Sequence, residues 1–205
     1  MSEDLEQRRD LEIAKYDRCY QKPNYHMGQW RQDNFRFYLT LHDPNKNRWK
    51  NFIDVACGRG ETLAIASAHG LTAMGVEVIP YLCDHKNILC VPGAHDLSMF
   101  PDKSFDLVSN QDVMEHILED EVEVVLAELW RITRKTLFLT ISSHPHSVSD
   151  GDNLHITVKP KDWWMDRLCE MACIVDGMEN ETIRDLSAEM PSAIPRQCSY
   201  FEINR

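Results

Sequence analysis

"FIDVACGRGETLAIA" (residues 52–66) runs from a short apolar segment into two glycines that bracket an arginine, and then into a helix-like stretch. Phe52, Ile53, Val55 and Ala56 surround Asp54, a pattern that reads as a buried strand. The stretch 61–69 reads as a helix that stops at Gly70, a suitable residue for a helix C-terminus. Glycines directly after a strand permit a tight turn and let a ligand approach main-chain N–H groups. The motif is shorter than the dinucleotide fingerprint G-x-G-x-x-G. Its first small residue is Ala56, and Leu63 stands where the last glycine would fall.

Strands and helices alternate outward from this turn. Residues 71–78, 87–94, 105–110 and 136–142 read as further strands. Leu118, Val122, Val125, Leu129 and Ile132 form one stripe of a 3.6-residue period, which predicts a long helix. Glu119, Asp120, Glu121, Glu123 and Glu128 make its other face, expected to be solvated. Residues 144–153 read as a loop, 159–172 as a helix, and 173–175 and 200–203 as late strands. This order predicts an α/β fold: a doubly wound, mostly parallel, seven-stranded Rossmann-like sheet with helices on both faces. Ligands in such sheets bind beyond the C-terminal ends of the strands, where the glycine turn lies. Residues 1–50 are rich in aromatics and poor in Val and Ile. They read as a helical or irregular flank, either a lid over the pocket or a shield for the sheet. Residues 51–205 form the main domain.

The 205 residues, 43% hydrophobic and 27% charged, suit one globular domain. A net charge of -11 without a basic block disfavours a nucleic-acid partner. No apolar run reaches the roughly 20 residues of a membrane span, and the charged start lacks a signal peptide's apolar core. Seven scattered cysteines with no second pair to complete a zinc site are expected as reduced thiols in a cytoplasmic protein.

Glu77 ends the second strand about twenty residues after the turn, where an acidic side chain can accept both hydroxyls of a ribose. The alternative is an exposed carboxylate at a strand end. "DVACGRG", "GVEV", "AHDLSMFPDKSFDLVSNQDVMEHI" and "ELWRITRKTLFLTIS" occur in the order and spacing of class I S-adenosylmethionine-dependent methyltransferases. Over roughly residues 50–175 the chain resembles their small-molecule branch, which includes ubiquinone-pathway and sugar methyltransferases. The resemblance implies S-adenosylmethionine as cofactor and a small-molecule acceptor, with a metabolite or sugar hydroxyl as the methylated group.

It also implies roles. Asp54 would sit under the methionine end of the cofactor. Ala56, Gly58 and Gly60 would hold the turn, Ala56 replacing the usual glycine, which ordinary backbone angles would permit. Glu77 would take the ribose and Val78 the adenine face. Where the family often has an Asp for the adenine amino group, this chain has Ala94 followed by His95 and Asp96. That role passes to Asp96 or to a backbone group near His95. Asn110 and Gln111 would line the sulfonium and carboxylate. His116 in "MEHI" is a candidate base or an orienter of the turn, and His155 a second candidate at the acceptor side. One of Trp163 and Trp164 would face the acceptor mouth. No metal is expected, because no carboxylate stands at ligand spacing among His144, His146 and His155.

Two other readings compete. A nicotinamide dehydrogenase explains the turn and Glu77 but requires a complete fingerprint and a Tyr-x-x-x-Lys; Tyr81 is followed at that spacing by His85. A cofactor-holding or cofactor-free binding module on the same fold is consistent with the incomplete glycine motif and Ala94.

Overall fold

A computed structural model describes residues 3–22, 25, 28–146, 151, 153–176, 183–190 and 198–205. The first strand, β1 (Asn51–Val55), pairs in parallel with β2 (Thr72–Glu77) on one side and β4 (Phe105–Gln111) on the other. Beyond β2 lies β3 (Ile88–Cys90), and beyond β4 lies β5 (Thr133–Ser142), both parallel to their neighbours. β7 (Cys198–Asn204) then pairs antiparallel to β5, and β6 (Ile183–Asp185) closes the edge antiparallel to β7. The order β3-β2-β1-β4-β5-β7-β6 reverses direction of growth between β1 and β4, so the switch point sits where the glycine turn leaves β1. Every residue of β4 is buried, as expected of a strand covered on both faces.

One face carries α4 (Val122–Ile132) and α5 (Lys161–Asp176). Val125, Leu129, Trp130, Trp164 and Leu168 pack there with Val108, Leu137 and Leu139 of the sheet. The other face carries α2 (Gln29–His42) and α3 (Glu61–Ala68). Tyr38 of α2 stacks on Phe138 with ring centroids 4.0 Å apart, and its hydroxyl donates to the buried Glu202 carboxylate at 2.7 Å. Asn34 donates to the Tyr200 hydroxyl at 2.7 Å. The aromatics of the flank are thus partly core, and α2 is a shield for the sheet. α1 (Glu3–Tyr20) has a different place, over the strand ends. No described helix is long and apolar enough to cross a membrane.

Several expectations are corrected. Residues 173–175 continue α5 instead of forming a strand, because a three-residue apolar run fits a helical stripe as well as a strand. The strand they were expected to supply is β6, "IRD", whose charged residues suit an exposed edge and carry no hydrophobic alternation. Glu121 is not on a solvated face: it is buried and pairs with Arg9 of α1. Trp164 is fully buried in the core, while half-buried Trp163 packs between Lys159 and Arg167 and lines no cavity mouth. Cys83 and Cys90 are joined by a disulfide with Cα atoms 5.5 Å apart, tying β3 to the turn after β2. The expectation of reduced thiols fails for these two because their spacing in sequence gave no sign that β3 folds back beside residue 83.

Candidate active site

The turn after β1 is built by backbone geometry. Ala56, Gly58 and Gly60 all adopt left-handed conformations, with φ of 63°, 56° and 80°. The condition of ordinary angles at Ala56 is therefore not met; alanine occupies a conformation that favours glycine. The N–H groups of Ala56 and Cys57 both donate to the Val76 carbonyl, at 2.9 and 3.1 Å, which locks the turn to β2. A side chain at Gly58 would collide with the Tyr20 hydroxyl, 2.6 Å from the position of a Cβ.

Glu77 holds the turn from the other side. Its Oε2 accepts from the Gly58 N–H at 2.8 Å and its Oε1 from the Val78 N–H at 2.7 Å. Burial raises its pKa, against the pull of those N–H donors. The carboxylate lines the cavity and is not an exposed strand-end group. Oε1 also accepts from the Ile79 N–H at 3.4 Å, so the freer lone pair is on Oε2.

Below the turn, Asp54 accepts from the hydroxyls of Thr62 and Ser109. It is buried and does not line the cavity; it ties α3 and β4 to β1. Burial, opposed by those two hydroxyls, raises its pKa to about 7. Asn110 also turns away from the cavity, donating to the Val55 carbonyl at 3.0 Å, whereas Gln111 lines it. Gly93, Ala94 and His95 line the far end beside Val78. Asp96 does not: its carboxylate accepts from the Ser98 N–H at 3.1 Å and caps its own turn.

The cavity has a volume of about 580 Å³, in the range that encloses a drug-sized ligand. Arg9, Ile13, Tyr16 and Tyr20 of α1 form one wall, with Tyr25 beside them. Their spacing of four, three and four residues is a helical face, a signal present in the sequence but weakened by the charged residues around it. α1 is fastened by Arg9 to Glu121, by Arg8 to Asp120 at 2.9 Å, and by Arg59 to the Tyr20 carbonyl at 2.8 Å.

The opposite half is polar. Asp112, left-handed at φ 52°, follows β4; it accepts from Thr140 at 2.8 Å and pairs with Arg31 of α2. Glu115 and His116 lie on the next short turn, Met114–His116. Residues 154–157 dock onto that turn: the N–H groups of Ile156 and Thr157 donate to the Glu115 carbonyl at 2.9 and 3.0 Å. His116 Nδ1 meets the Leu154 carbonyl at 2.8 Å and also contacts the Tyr16 hydroxyl. This brings the rings of His116 and His155 to 4.8 Å between centroids. Burial lowers the pKa of His116 to about 3 and lowers that of His155. A base so weak is far from the value suited to proton abstraction near neutrality. Burial and the neighbouring Asp112 hold Glu115 well above the usual carboxylate range. Arg31 was missed in the sequence; Asp112 and Glu115 were in view beside the pocket within "DVMEHI" but without a role, and α1 only as part of a flank read as a lid or a shield.

Residues 53–140 match the family described as methyltransferase domain. Over those residues the chain is similar to that family. No curated protein sequence matches the chain. Among solved structures, the domain and its flanks resemble a 1,6-didemethyltoxoflavin-N1-methyltransferase from Burkholderia thailandensis, with a TM-score of 0.65 and 12% identity over 100% of this chain and 91% of that one. That structure holds 1,6-didemethyltoxoflavin and S-adenosylhomocysteine. An S-adenosylmethionine-dependent methyltransferase from Clostridium acetobutylicum gives a TM-score of 0.62 at 10% identity, covering 94% and 98% of the two chains. One from Archaeoglobus fulgidus gives 0.58 at 17% identity, covering 85% and 94%. At such identities the likeness is one of fold. The segment similar to the family spans β1 to β5, the strands whose ends frame the cavity.

Proposed function

We propose that this chain transfers a methyl group from S-adenosylmethionine to a hydroxyl of a small metabolite or sugar. The carrying observation is Glu77, buried, held by three main-chain N–H groups and facing a 580 Å³ cavity at the sheet's switch point. Its Oε2 has a lone pair left for one ribose hydroxyl, and Oε1 would take the second in place of the long bond from Ile79. Val78 and the segment 93–95 would take the adenine, Gln111 the methionine end, and Asp54 would act from beneath the turn by fixing α3 and β4. Asp96 faces away, which favours the backbone beside His95 as the adenine reader.

When bound, S-adenosylmethionine supplies a methyl on a sulfonium that departs as a neutral thioether. The chain's own part is alignment: holding an acceptor oxygen in line with the S–CH₃ bond supplies up to about 7–11 kcal/mol. α1 and Tyr25 would act as the lid, excluding water, and the half lined by Asp112, Glu115, His116 and His155 would hold the acceptor. The enclosed cavity supports a small acceptor, as does the small molecule bound beside S-adenosylhomocysteine in the Burkholderia enzyme.

Calorimetry with S-adenosylhomocysteine and NAD, followed by transfer of a labelled methyl to a panel of hydroxylated metabolites, tests the proposal. Binding of S-adenosylhomocysteine without NAD binding is expected. Tight NAD binding with no response to S-adenosylhomocysteine would overturn it; cofactor binding with no transfer to any acceptor class would favour the binding module.

A further inference from the structure

The polar half of the cavity holds three groups whose arrangement ordinary packing does not explain. Glu115 is completely buried, yet neither carboxylate oxygen has a hydrogen-bond partner among the described residues. The main-chain N–H groups of Glu115 and Ser142 lie close enough to favour its charged form but do not meet hydrogen-bond geometry. A buried carboxylate left unpartnered costs several kcal/mol, so it needs a reason. The reason stands beside it. The ligand-capable atoms of Glu115, His116 and His155 all lie within 4.8 Å of one another.

The two imidazoles are already set as ligands. His116 Nδ1 faces the Leu154 carbonyl at 2.8 Å, and His155 Nδ1 faces the His144 carbonyl at 2.5 Å. A carbonyl can only accept, so each Nδ1 carries the proton and each Nε2 keeps its lone pair. A histidine whose second nitrogen donates to a backbone carbonyl is the usual outer support of a metal-binding imidazole. The main-chain pairing of residues 154–157 with the Glu115 carbonyl fixes all three groups on one rigid unit.

We propose that Glu115, His116 and His155 bind one divalent transition-metal ion, of the zinc or cobalt kind, at the acceptor end of the cavity. Two imidazoles and one carboxylate suit borderline metals rather than magnesium or calcium, which take oxygen ligands. Bonds of about 2.0–2.2 Å place neighbouring ligands roughly 3–3.5 Å apart, so closure of the set asks for a shift of about 1 Å. Three protein ligands leave open positions toward the cavity, the arrangement of a catalytic site and not of a closed structural one. Their role rests on the proposed methyl transfer: an acceptor hydroxyl bound there loses its proton to water more readily, while the O–CH₃ bond forms and the S–CH₃ bond breaks. This removes the need for His116 as a base. It departs from the sequence expectation of no metal, which searched for a carboxylate among His144, His146 and His155 and overlooked the one beside His116.

Stripped protein is titrated with Co²⁺, following visible absorption and the metal-to-protein ratio after gel filtration. One Co²⁺ per chain is expected, displaced by Zn²⁺ but not by millimolar Mg²⁺. Glu115→Gln and His155→Ala should each lower Co²⁺ affinity at least tenfold. S-adenosylhomocysteine affinity, measured on the same samples, serves as the fold check and separates this proposal from the methyltransferase reading. Absence of stoichiometric Co²⁺ from wild-type protein that binds S-adenosylhomocysteine would overturn the metal site alone. So would Co²⁺ binding that both variants leave unchanged, or displacement by Mg²⁺. A variant that fails to fold leaves the wild-type stoichiometry and the other variant to decide.

Discussion

Glu77→Gln separates two jobs done by one side chain. The carboxylate accepts from Gly58 N–H through one oxygen and from Val78 N–H through the other. Glutamine keeps the shape but has one oxygen and one NH₂, so one of those buried N–H groups must face a donor. Leaving a buried donor unsatisfied costs about 1–3 kcal/mol. Stability by urea titration should fall by that amount, with an unchanged slope. A ribose hydroxyl bound to a carboxylate contributes roughly 1.5–3 kcal/mol, or about 10- to 150-fold in dissociation constant. Calorimetry with S-adenosylhomocysteine should show that loss on top of the stability loss. Glu77→Ala should exceed it in both, since the N–H groups of Gly58, Val78 and Ile79 all lose their acceptor. The hydrogen bonds to the turn are what make folding sensitive to the change. Unaltered affinity would place the ribose elsewhere, and unaltered stability would mean that the turn is not held by Glu77.

Three further outcomes follow from the same geometry. Ala56→Gly should raise stability by about 0.5–1 kcal/mol in urea, because alanine at φ 63° carries a left-handed penalty of about 1–2 kcal/mol that glycine's greater unfolded freedom only partly offsets; a loss would contradict the assigned conformation. Asp54, raised to about 7 from an ordinary 3.8, contributes stability that is complete below pH 3.8 and lost as pH rises through 7, on the order of 4 kcal/mol. Urea titrations across that window should show a decline that Asp54→Asn flattens, and parallel profiles would argue against the shift. Arg9→Ala should speed protease cleavage of α1, because it leaves buried Glu121 unpaired, with S-adenosylhomocysteine restoring protection; an unchanged cleavage rate would mean that α1 is held by other contacts.

Local pattern carried the reading from Phe52 to Ser142. A buried parallel strand needs only a short apolar run, and the alternation of β1, α3, β2 and β4 left few ways to connect them. Reading weakened where long-range pairing decides the outcome. β6 is three residues with two charges, a strand only because β7 lies beside it. Residues 173–175 carry apolar side chains that suit either period, and α5 absorbs them. Glu121 looked like a solvated acid because its partner, Arg9, lies 112 residues away.

The site divides in the same manner. The half proposed for the cofactor is local: the turn, Glu77 and Val78 lie within some twenty residues and meet at one cavity. Asp54 and Asn110 also belong to that half, but as ties behind the wall. The half proposed for the acceptor is assembled from segments that no motif joins. His116 and His155 are 39 positions apart, and what unites them is the pairing of Ile156 and Thr157 with the Glu115 carbonyl. That pairing fixes the Leu154 carbonyl, which assigns the proton on His116 and thereby frees its Nε2. A histidine read as a base or as an orienter of the turn is, on the proposed site, placed to give a lone pair to a cation. The chemistry of this half is set by which backbone carbonyl each imidazole meets, and a linear sequence does not carry that information.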